Sequence, residues 1–214
     1  MRYASRSRSL RRPVAGRRRL APEARRSQLL AYALAVFAER GLARAGHAEI
    51  AARAGVSVAT VFVYFPTREA LVAAVLDEVE RLLVEMARAV HERPDPAPAL
   101  VTAHVRAFTA SVDTHPDHVR VWLDWSTAIG ADVWPRYLAF QERMVAVLAR
   151  TIDAGRHAGT IPAAVDPAGA GRLLVGSAHM LAQMKFTHRA AAEVERFVDT
   201  LVRAALGAAG GSKG

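Results

Sequence analysis

The segment from residue 46 to residue 65, GHAEIAARAGVSVATVFVYF, carries the side chains whose type and spacing most clearly suggest a chemical role. Its apolar residues recur at helical spacing in two short stretches. They are Ile50, Ala51 and Ala54 in the first stretch, and Val58, Val61, Phe62 and Phe65 in the second. Two short helices that pack face to face leave the second one protruding from the surface, where its diameter fits the major groove of B-DNA.

The residues between these two stretches favour a tight turn. Gly55 suits the left-handed conformation that ends a helix, and Ser57 is a good N-cap for the next helix. Ala51 is small enough for the helices to cross closely, and Val56 can anchor the turn in the core. Apolar periodicity alone would favour an ordinary helical hairpin inside a larger bundle, because such hairpins are common. The combination of small residue, turn glycine, buried valine and cap instead predicts a helix-turn-helix that binds DNA.

Other kinds of chemistry find little support in the composition. The chain of 214 residues has no cysteine, which excludes disulfides, Cys-based zinc sites and thiol catalysis. The stretch His115-Pro116-Asp117-His118 has the residue types of a metal site, but a capping aspartate with surface histidines explains it as well. Motifs of nucleophilic catalysis and phosphate-binding glycine loops do not occur. We therefore expect a non-enzyme that needs no metal and no cofactor.

The positive charge is concentrated at the N-terminus. The net charge is +9, and residues 1–20 contain eight arginines and no acidic residue. Such an arm has little to bury, so we expect it to be disordered. It could be a solvated tail or a targeting peptide, although it has no apolar core region of the kind targeting needs. Beside a DNA-binding unit, Arg17 and Arg19 are more simply explained as contacts to phosphates or the minor groove.

After the arm, the pattern is helical throughout and predicts an all-α fold. The first helix runs from Pro22 to about Arg40, and the paired helices lie at about 47–54 and 57–64. A long helix capped by Thr67 runs to about His91. Further helices are predicted at about 97–114, 117–129, 132–157, 167–188 and 190–208. Apolar runs are too short for a membrane span, so we expect a cytoplasmic, nucleoid-associated protein.

These elements suggest two functional units between two flexible ends. The predicted divisions are the arm (1–20), a DNA-binding domain (21–66), a helical ligand-binding and dimerisation domain (67–208) and a tail (209–214).

Aromatic residues cluster in the second unit, where they favour either a filled core or a cavity. We expect a cavity whose wall includes Val75, Val79, Leu83, Trp122, Trp125, Phe140 and Met144. Its occupant would be a small hydrophobic or aromatic ligand. Because Thr67 and Arg68 lie at the other end of the helix that carries Val79, a ligand against Val79 could tilt that helix and alter DNA binding.

The last two predicted helices are rich in small residues such as Gly169, Gly171, Gly176 and Ala178. Small residues let helices approach closely, either within one chain or between two chains. Since a helix-turn-helix protein usually reads a two-fold site with two copies, we expect a homodimer formed through residues 167–208.

The chain resembles the TetR-type transcriptional regulators over residues 22–91. It is further similar, over about residues 17–205, to the LuxR/HapR/SmcR branch of quorum-sensing master regulators within that family. The resemblance rests on FAERG before residue 42, on IAARAGVSVATVFVYFPTREALV at 50–72, and on VWLDWS and DVWP at 121–126 and 132–135. It implies a homodimer that activates or represses promoters, with a pocket in its larger domain.

The resemblance also implies residue roles. Arginines before the first helix enter the minor groove in that branch, which matches Arg17 and Arg19. The residues implied to touch DNA are Ser57, Ala59, Thr60, Val63, Tyr64, Thr67 and Arg68. Trp122 matches a pocket position, and Gln141 and Ala178 occupy pocket positions where the branch tends to have asparagine and cysteine.

Val63 is the departure that most affects function, because the branch has asparagine there. A carboxamide can pair with adenine, whereas valine offers only apolar contact, for instance to a thymine methyl group. Two alternatives to a quorum-sensing-type regulator therefore remain: a local repressor of efflux or catabolic genes that a ligand releases from DNA, and a ligand-binding or scaffold protein that no longer reads DNA.

Overall fold

The computed structural model describes residues 21–207, and every regular element in that range is an α-helix. The arm and the last seven residues, 208–214, lie outside the described residues. The helices are α1 (Pro22–Arg40), α2 (His47–Ala54), α3 (Val58–Tyr64), α4 (Arg68–His91), α5 (Ala97–Thr114), α6 (Pro116–Ser126), α7 (Trp134–His157), α8 (Pro167–Phe186) and α9 (Ala191–Ala205).

Helices α1 to α3 form a small three-helix head. Helix α1 begins at a proline, which needs no hydrogen-bond partner in the first turn, and it buries Leu29, Ala33 and Phe37 on one side. The chain leaves α1 at Gly41, which has a φ of 78° and whose amide donates to the carbonyl of Phe37.

The turn between α2 and α3 has the predicted geometry. Gly55 adopts the left-handed conformation, with φ 64° and ψ 38°, and the amide of Val56 donates to the carbonyl of Ala51 at 3.0 Å. Ala51 is almost fully buried, as a close crossing of the two helices requires. Ser57 then caps α3. The segment is therefore a helix-turn-helix.

Helix α4 joins this head to a five-helix body made of α5 to α9. One continuous buried cluster runs from Leu29 in α1 through α4 to Leu206 after α9, so head and body share their core. The central side chains of α4, including Val75 and Val79, are completely buried. Helix α8 lies between α7 and α9 and also contacts α5.

The predicted helix boundaries differ from the structure mainly in the body. Helix α6 ends at Ser126 instead of about 129, because residues after Trp125 form turns that lead to Gly130 at φ 82°. Helix α7 consequently begins at Trp134 instead of 132. Helices α8 and α9 end two and three residues earlier than predicted.

No single helix within residues 21–207 combines the length and apolar composition that crossing a membrane requires. Only α3 and α4 taken together pass such a test, and they meet at a bend of 65°.

Candidate functional site

The outer face of α3 is the first candidate site. Val63 is its most exposed apolar side chain, with 75% of its surface accessible. Ser57 and Ala59 are also exposed, whereas Thr60 and Tyr64 are half-buried. The structure therefore brings these five predicted DNA-contacting residues onto one short helix and its cap.

Two of the four predicted DNA-contacting residues that carry a hydroxyl group, Ser57 and Thr67, are held in place by capping. The Ser57 hydroxyl oxygen accepts from the amide of Thr60 at 3.2 Å and lies 2.9 Å from the hydroxyl of Thr60. The Thr67 hydroxyl oxygen accepts from the amide of Ala70 at 3.1 Å, at the start of α4. Both hydroxyl groups remain at the surface, so their positions are fixed while their outer sides stay accessible.

The inner face of α3 is narrower than its apolar spacing predicts. Val61 and Phe65 are buried, but Val58 and Phe62 are 41% and 45% exposed. A helix of seven residues that packs mainly against α2 can bury only one narrow side. Phe62 instead stacks on the ring of His47, with centroids 4.0 Å apart, and His47 Nε2 donates to the carbonyl of Phe65 at 2.8 Å.

Arg68 has a structural partner within the head. Its guanidinium donates to the carbonyl of Leu42, in the turn between α1 and α2. The side chain thus ties the start of α4 to that turn, a role that the sequence did not indicate. The predicted contacts from Arg17 and Arg19 lie outside the described residues.

A cavity in the body is the second candidate site. Six of the nine predicted pocket residues line it: Leu83, Trp122, Phe140, Gln141, Met144 and Ala178. The volume of the cavity is about 50 Å³. The cavity is therefore narrow, and a drug-sized ligand would need the side chains to move.

The other three predicted wall residues belong to the packed core. Trp125 is fully buried, donates from Nε1 to the carbonyl of Val133 at 2.9 Å, and packs edge-on against Tyr137. Val75 and Val79 are also fully buried but do not reach the cavity. Helix α4 faces the cavity with its later residues, Leu83 and Met86, so Val79, against which a ligand was expected to wedge, does not line the cavity.

Helix α5 supplies lining residues that sequence reasoning missed. His104, Val105 and Phe108 face the cavity from one side of this helix. Their spacing was visible in the sequence, but a lone histidine on an apolar face ordinarily indicates core packing. The remaining unpredicted lining residues are Met86, Tyr137, Leu148, Leu174, Val175 and Leu181.

His104 is the most perturbed titratable group of the cavity. Burial, reinforced by the neighbouring His91, lowers its pKa from 6.5 to about 4. His91 Nε2 lies 3.0 Å from His104 Nδ1, and His91 Nδ1 lies 2.8 Å from the hydroxyl of Thr151. At neutral pH, His104 is therefore uncharged and held by a chain of hydrogen bonds.

This pKa shift predicts acid sensitivity. A histidine whose pKa is lower in the folded state stabilises the fold above pH 6.5, and this stability is lost as the pH falls toward 4. Between pH 6.5 and pH 4, the free energy of unfolding should fall by about 3 kcal/mol less in the His104→Phe variant than in the native protein. Urea unfolding at a series of pH values measures the difference. Equal acid sensitivity in both proteins would contradict the lowered pKa.

Asp124 connects the cavity side of α6 with the head. Its Oδ2 accepts from the backbone amide of Leu42 at 2.6 Å, across 82 residues of sequence. Two residues earlier in α6, Trp122 lines the cavity. A shift of α6 would therefore displace the turn between α1 and α2 directly.

The described residues contain no group of three or more His, Asp or Glu side chains arranged to hold a metal ion.

Comparison with known proteins identifies the head. Residues 29–75, which include the whole helix-turn-helix, match the model of the bacterial regulatory proteins of the tetR family. The chain is also 43% identical over 127 residues to the HTH-type transcriptional regulator LuxR of Vibrio harveyi. The head is thus similar in sequence to the DNA-binding region of tetR-family regulators. The predicted TetR-like fold and the predicted similarity to LuxR are confirmed.

The extent of this similarity is limited. The alignment with LuxR covers 57% of this chain and 60% of LuxR. The TetR-family fold extends further: a TetR-like regulator from Rhodococcus sp. RHA1 covers 87% of this chain and 96% of its own, with a TM-score of 0.73 and 20% identity. FadR from Bacillus subtilis, solved with stearoyl-CoA, covers 84% and 97%, with a TM-score of 0.68 and 14% identity.

Proposed function

We propose that this chain is a dimeric transcriptional regulator of the TetR family that binds specific DNA sequences through α3. The observation that carries the proposal is the fixed outer face of α3 on a helix-turn-helix that matches the family model. Val63, Ala59 and Thr60 lie where a groove-inserted helix would meet base edges. We propose that such a regulator acts at the chromosome, in the cytoplasm.

The contacts around α3 divide into base readout and positioning. Val63 offers apolar contact to a thymine methyl group, and the hydroxyl of Thr60 can pair with a base edge. Ser57, Tyr64 and Thr67 carry hydroxyl groups suited to phosphate oxygens, which fix the register on DNA. The guanidinium of Arg68 already donates to the carbonyl of Leu42, so Arg68 contacts DNA only if the same guanidinium also donates to a phosphate. Arg17 and Arg19 are proposed to add minor-groove contacts.

Helix α8 provides the surface for a dimer. Leu173 and Met180 are 45% and 47% exposed, and the exposed Gly176 lies between them on the same side. Some small residues of α8 do not lie on this exposed side of the helix. Gly171 is buried against α7, where an added Cβ would lie 3.0 Å from the carbonyl oxygen of Val145, and Ala178 lines the cavity.

A ligand in the cavity would control DNA binding through α6. Trp122 meets the ligand, and Asp124 on the same helix holds the turn that precedes the helix-turn-helix. A ligand alters DNA affinity only if it binds one arrangement of α6 better than the other. The structure of FadR with stearoyl-CoA supports a ligand site in this fold.

The variant Val63→Asp tests DNA binding by α3. A carboxylate at this position would face the phosphate-rich groove, so we expect DNA affinity to fall at least about tenfold. Because Val63 is 75% exposed, stability should change little. Gel shifts with genomic fragments at fixed salt measure the affinity, and urea unfolding measures the stability.

The matched control is Leu138→Asp, which adds the same charge at a 42% exposed position of α7. It should bind DNA like the native protein. If the Val63→Asp variant binds DNA with the same affinity as the native protein, α3 does not enter the groove. If the native protein binds no genomic fragment, the protein is a ligand-binding or scaffold protein instead.

A further inference from the structure

The body contains a second space that lies next to the cavity. It is an open cleft of about 470 Å³ at the end of α4 opposite the head. The end of α4, the start of α5 and the second half of α7 form its walls. The same three helices also line the cavity, so the cleft and the cavity share their walls.

About one helical turn separates the two spaces along these helices. On α5, Leu100 lines the cleft and His104 lines the cavity, which corresponds to a rise of about 6 Å. On α7, Thr151 lines the cleft and Leu148 lines the cavity, which corresponds to about 4.5 Å. The cleft therefore continues the cavity along the same direction, with a thin layer of side chains between them.

A pair of histidines stands in this layer. His91 lines the cleft and His104 lines the cavity, and His91 Nε2 lies 3.0 Å from His104 Nδ1. The hydroxyl of Thr151 lies 2.8 Å from His91 Nδ1. His91 is the last residue of α4 and is half-buried, whereas His104 is buried. Rotation of the His91 side chain into the cleft breaks its hydrogen bonds to His104 and Thr151 and opens the layer.

The cleft also carries a positive charge that no acidic side chain within residues 21–207 neutralises. The guanidinium belongs to Arg150, which is exposed and lines the cleft. Asp95 lines the cleft too, but it forms an ion pair with Arg93 at 2.6 Å. Burial and the nearby Arg150 lower the pKa of His91, so its ring is uncharged at neutral pH. A planar guanidinium pairs especially well with a carboxylate, through two parallel hydrogen bonds.

We propose that the cleft and the cavity together bind a carboxylate that carries one unbranched alkyl chain. The carboxylate pairs with Arg150 in the cleft, and the chain passes His91 into the cavity. This inference rests on the proposed ligand control of DNA binding and names the ligand class. Arg150 and Phe140 are ten residues apart on α7, which corresponds to about 15 Å, so a chain of medium length reaches the aromatic part of the cavity.

The shapes of the two spaces determine which end of the ligand enters which space. The cavity is narrow, and an unbranched chain is the apolar group that displaces the fewest side chains. Met86 and Met144 line the cavity, and methionine side chains adapt readily to a new shape. A carboxylate inside this mostly apolar cavity would lose its hydration without gaining a cationic partner. The charged end therefore stays in the open cleft.

Decanoate and decan-1-ol test the role of Arg150 on the full-length protein, because they share a chain length and differ in charge. In calorimetric titrations, Arg150→Gln should lower the ratio of decanoate affinity to decanol affinity about threefold, as expected for an exposed ion pair. Arg150→Lys should retain part of the preference. The matched control is Arg196→Gln, at an exposed arginine of α9 outside both spaces, and it should keep the native ratio.

Two further measurements test the passage of the chain. Decanoate with bromine on its last carbon should quench tryptophan fluorescence, and the quenched fraction should fall in Trp122→Phe, because Trp122 lines the cavity. In stopped-flow experiments, His91→Ala should speed the association of decanoate severalfold, since the layer then lacks the side chain that must turn. His157→Ala, at an exposed position outside the cleft, should leave the rate unchanged.

Each measurement can overturn the inference. An unchanged affinity ratio in Arg150→Gln, an absence of quenching by the brominated chain, or an unchanged association rate in His91→Ala would each do so. If decanol and decanoate bind equally and still alter DNA affinity, the ligand-controlled regulator stands and the role of the cleft is wrong. If decanoate binds as proposed but the protein binds no DNA, the ligand site stands and the proposed function fails. If neither compound binds, the two-part site is wrong.

Discussion

Gly176→Glu is expected to convert the protein largely to monomer at low micromolar concentration and to lower its DNA affinity by about 100-fold or more. Gly176 is exposed on α8 between Leu173 and Met180, and an added Cβ would meet no atom within 4 Å in the single chain. The substitution therefore leaves the fold of one chain intact. If α8 forms the interface of a two-fold dimer, the substitution buries a carboxylate from each chain in that interface. The separated chains then lose the affinity that is gained when one dimer binds two half-sites at once.

Analytical ultracentrifugation and gel shifts on the same samples measure both effects. Ala146→Glu is the matched control, because it adds the same side chain at an exposed position of α7 and should leave the dimer intact. A Gly176→Glu protein that remains dimeric with native DNA affinity would place the interface elsewhere. A charge at Ala178 is a poorer test, since that residue lines the cavity.

Trp125→Ala is expected to have the largest effect on stability, about 3–5 kcal/mol in the free energy of unfolding. The side chain is fully buried, and its Nε1 donates to the carbonyl of Val133 at 2.9 Å. Truncation leaves a void beside Phe140 and Tyr137 and removes one of the two donors to the carbonyl of Val133, which keeps only the backbone amide of Tyr137. The residue belongs to the core, so the loss should appear without any ligand.

Urea unfolding followed by circular dichroism measures this loss. Trp134→Ala is the control, since Trp134 is only half-buried and stacks on one side of Tyr137 at 5.1 Å. We expect Trp134→Ala to lower the free energy of unfolding clearly less than Trp125→Ala does. If the two variants lose the same stability, Trp125 is not a central packing residue of the body.

The helix-turn-helix could be predicted almost residue by residue, because local signals fix its ends. Gly41 and Gly55 have positive φ values that favour glycine, and the hydroxyls of Ser57 and Thr67 accept the capping hydrogen bonds that their positions suggested. Each of these signals acts within four residues. In the body, the predicted end of α6 was several residues too late. The turns after Trp125 contain no cap or glycine signal strong enough to mark that end in the sequence.

The cavity could be predicted only in part, because its lining depends on how long helices are turned relative to one another. Val79 and Leu83 are one turn apart on α4, yet only Leu83 reaches the cavity. Whether Trp122 or Trp125 faces a void is decided by packing among α5, α6 and α7. The contact of Asp124 with Leu42 joins residues 82 apart and has no signature in sequence.

Selection of bound sequences from random DNA duplexes, using the full-length protein at about 150 mM salt, tests the central claim most directly. The account predicts an enriched motif with two-fold symmetry and half-sites about one helical turn apart, or a multiple of that spacing. It also predicts that Val63→Asn changes the preferred base at symmetric positions, because a carboxamide replaces an apolar contact. An absence of any enriched motif, or a motif that Val63→Asn leaves unchanged, would contradict sequence reading by α3.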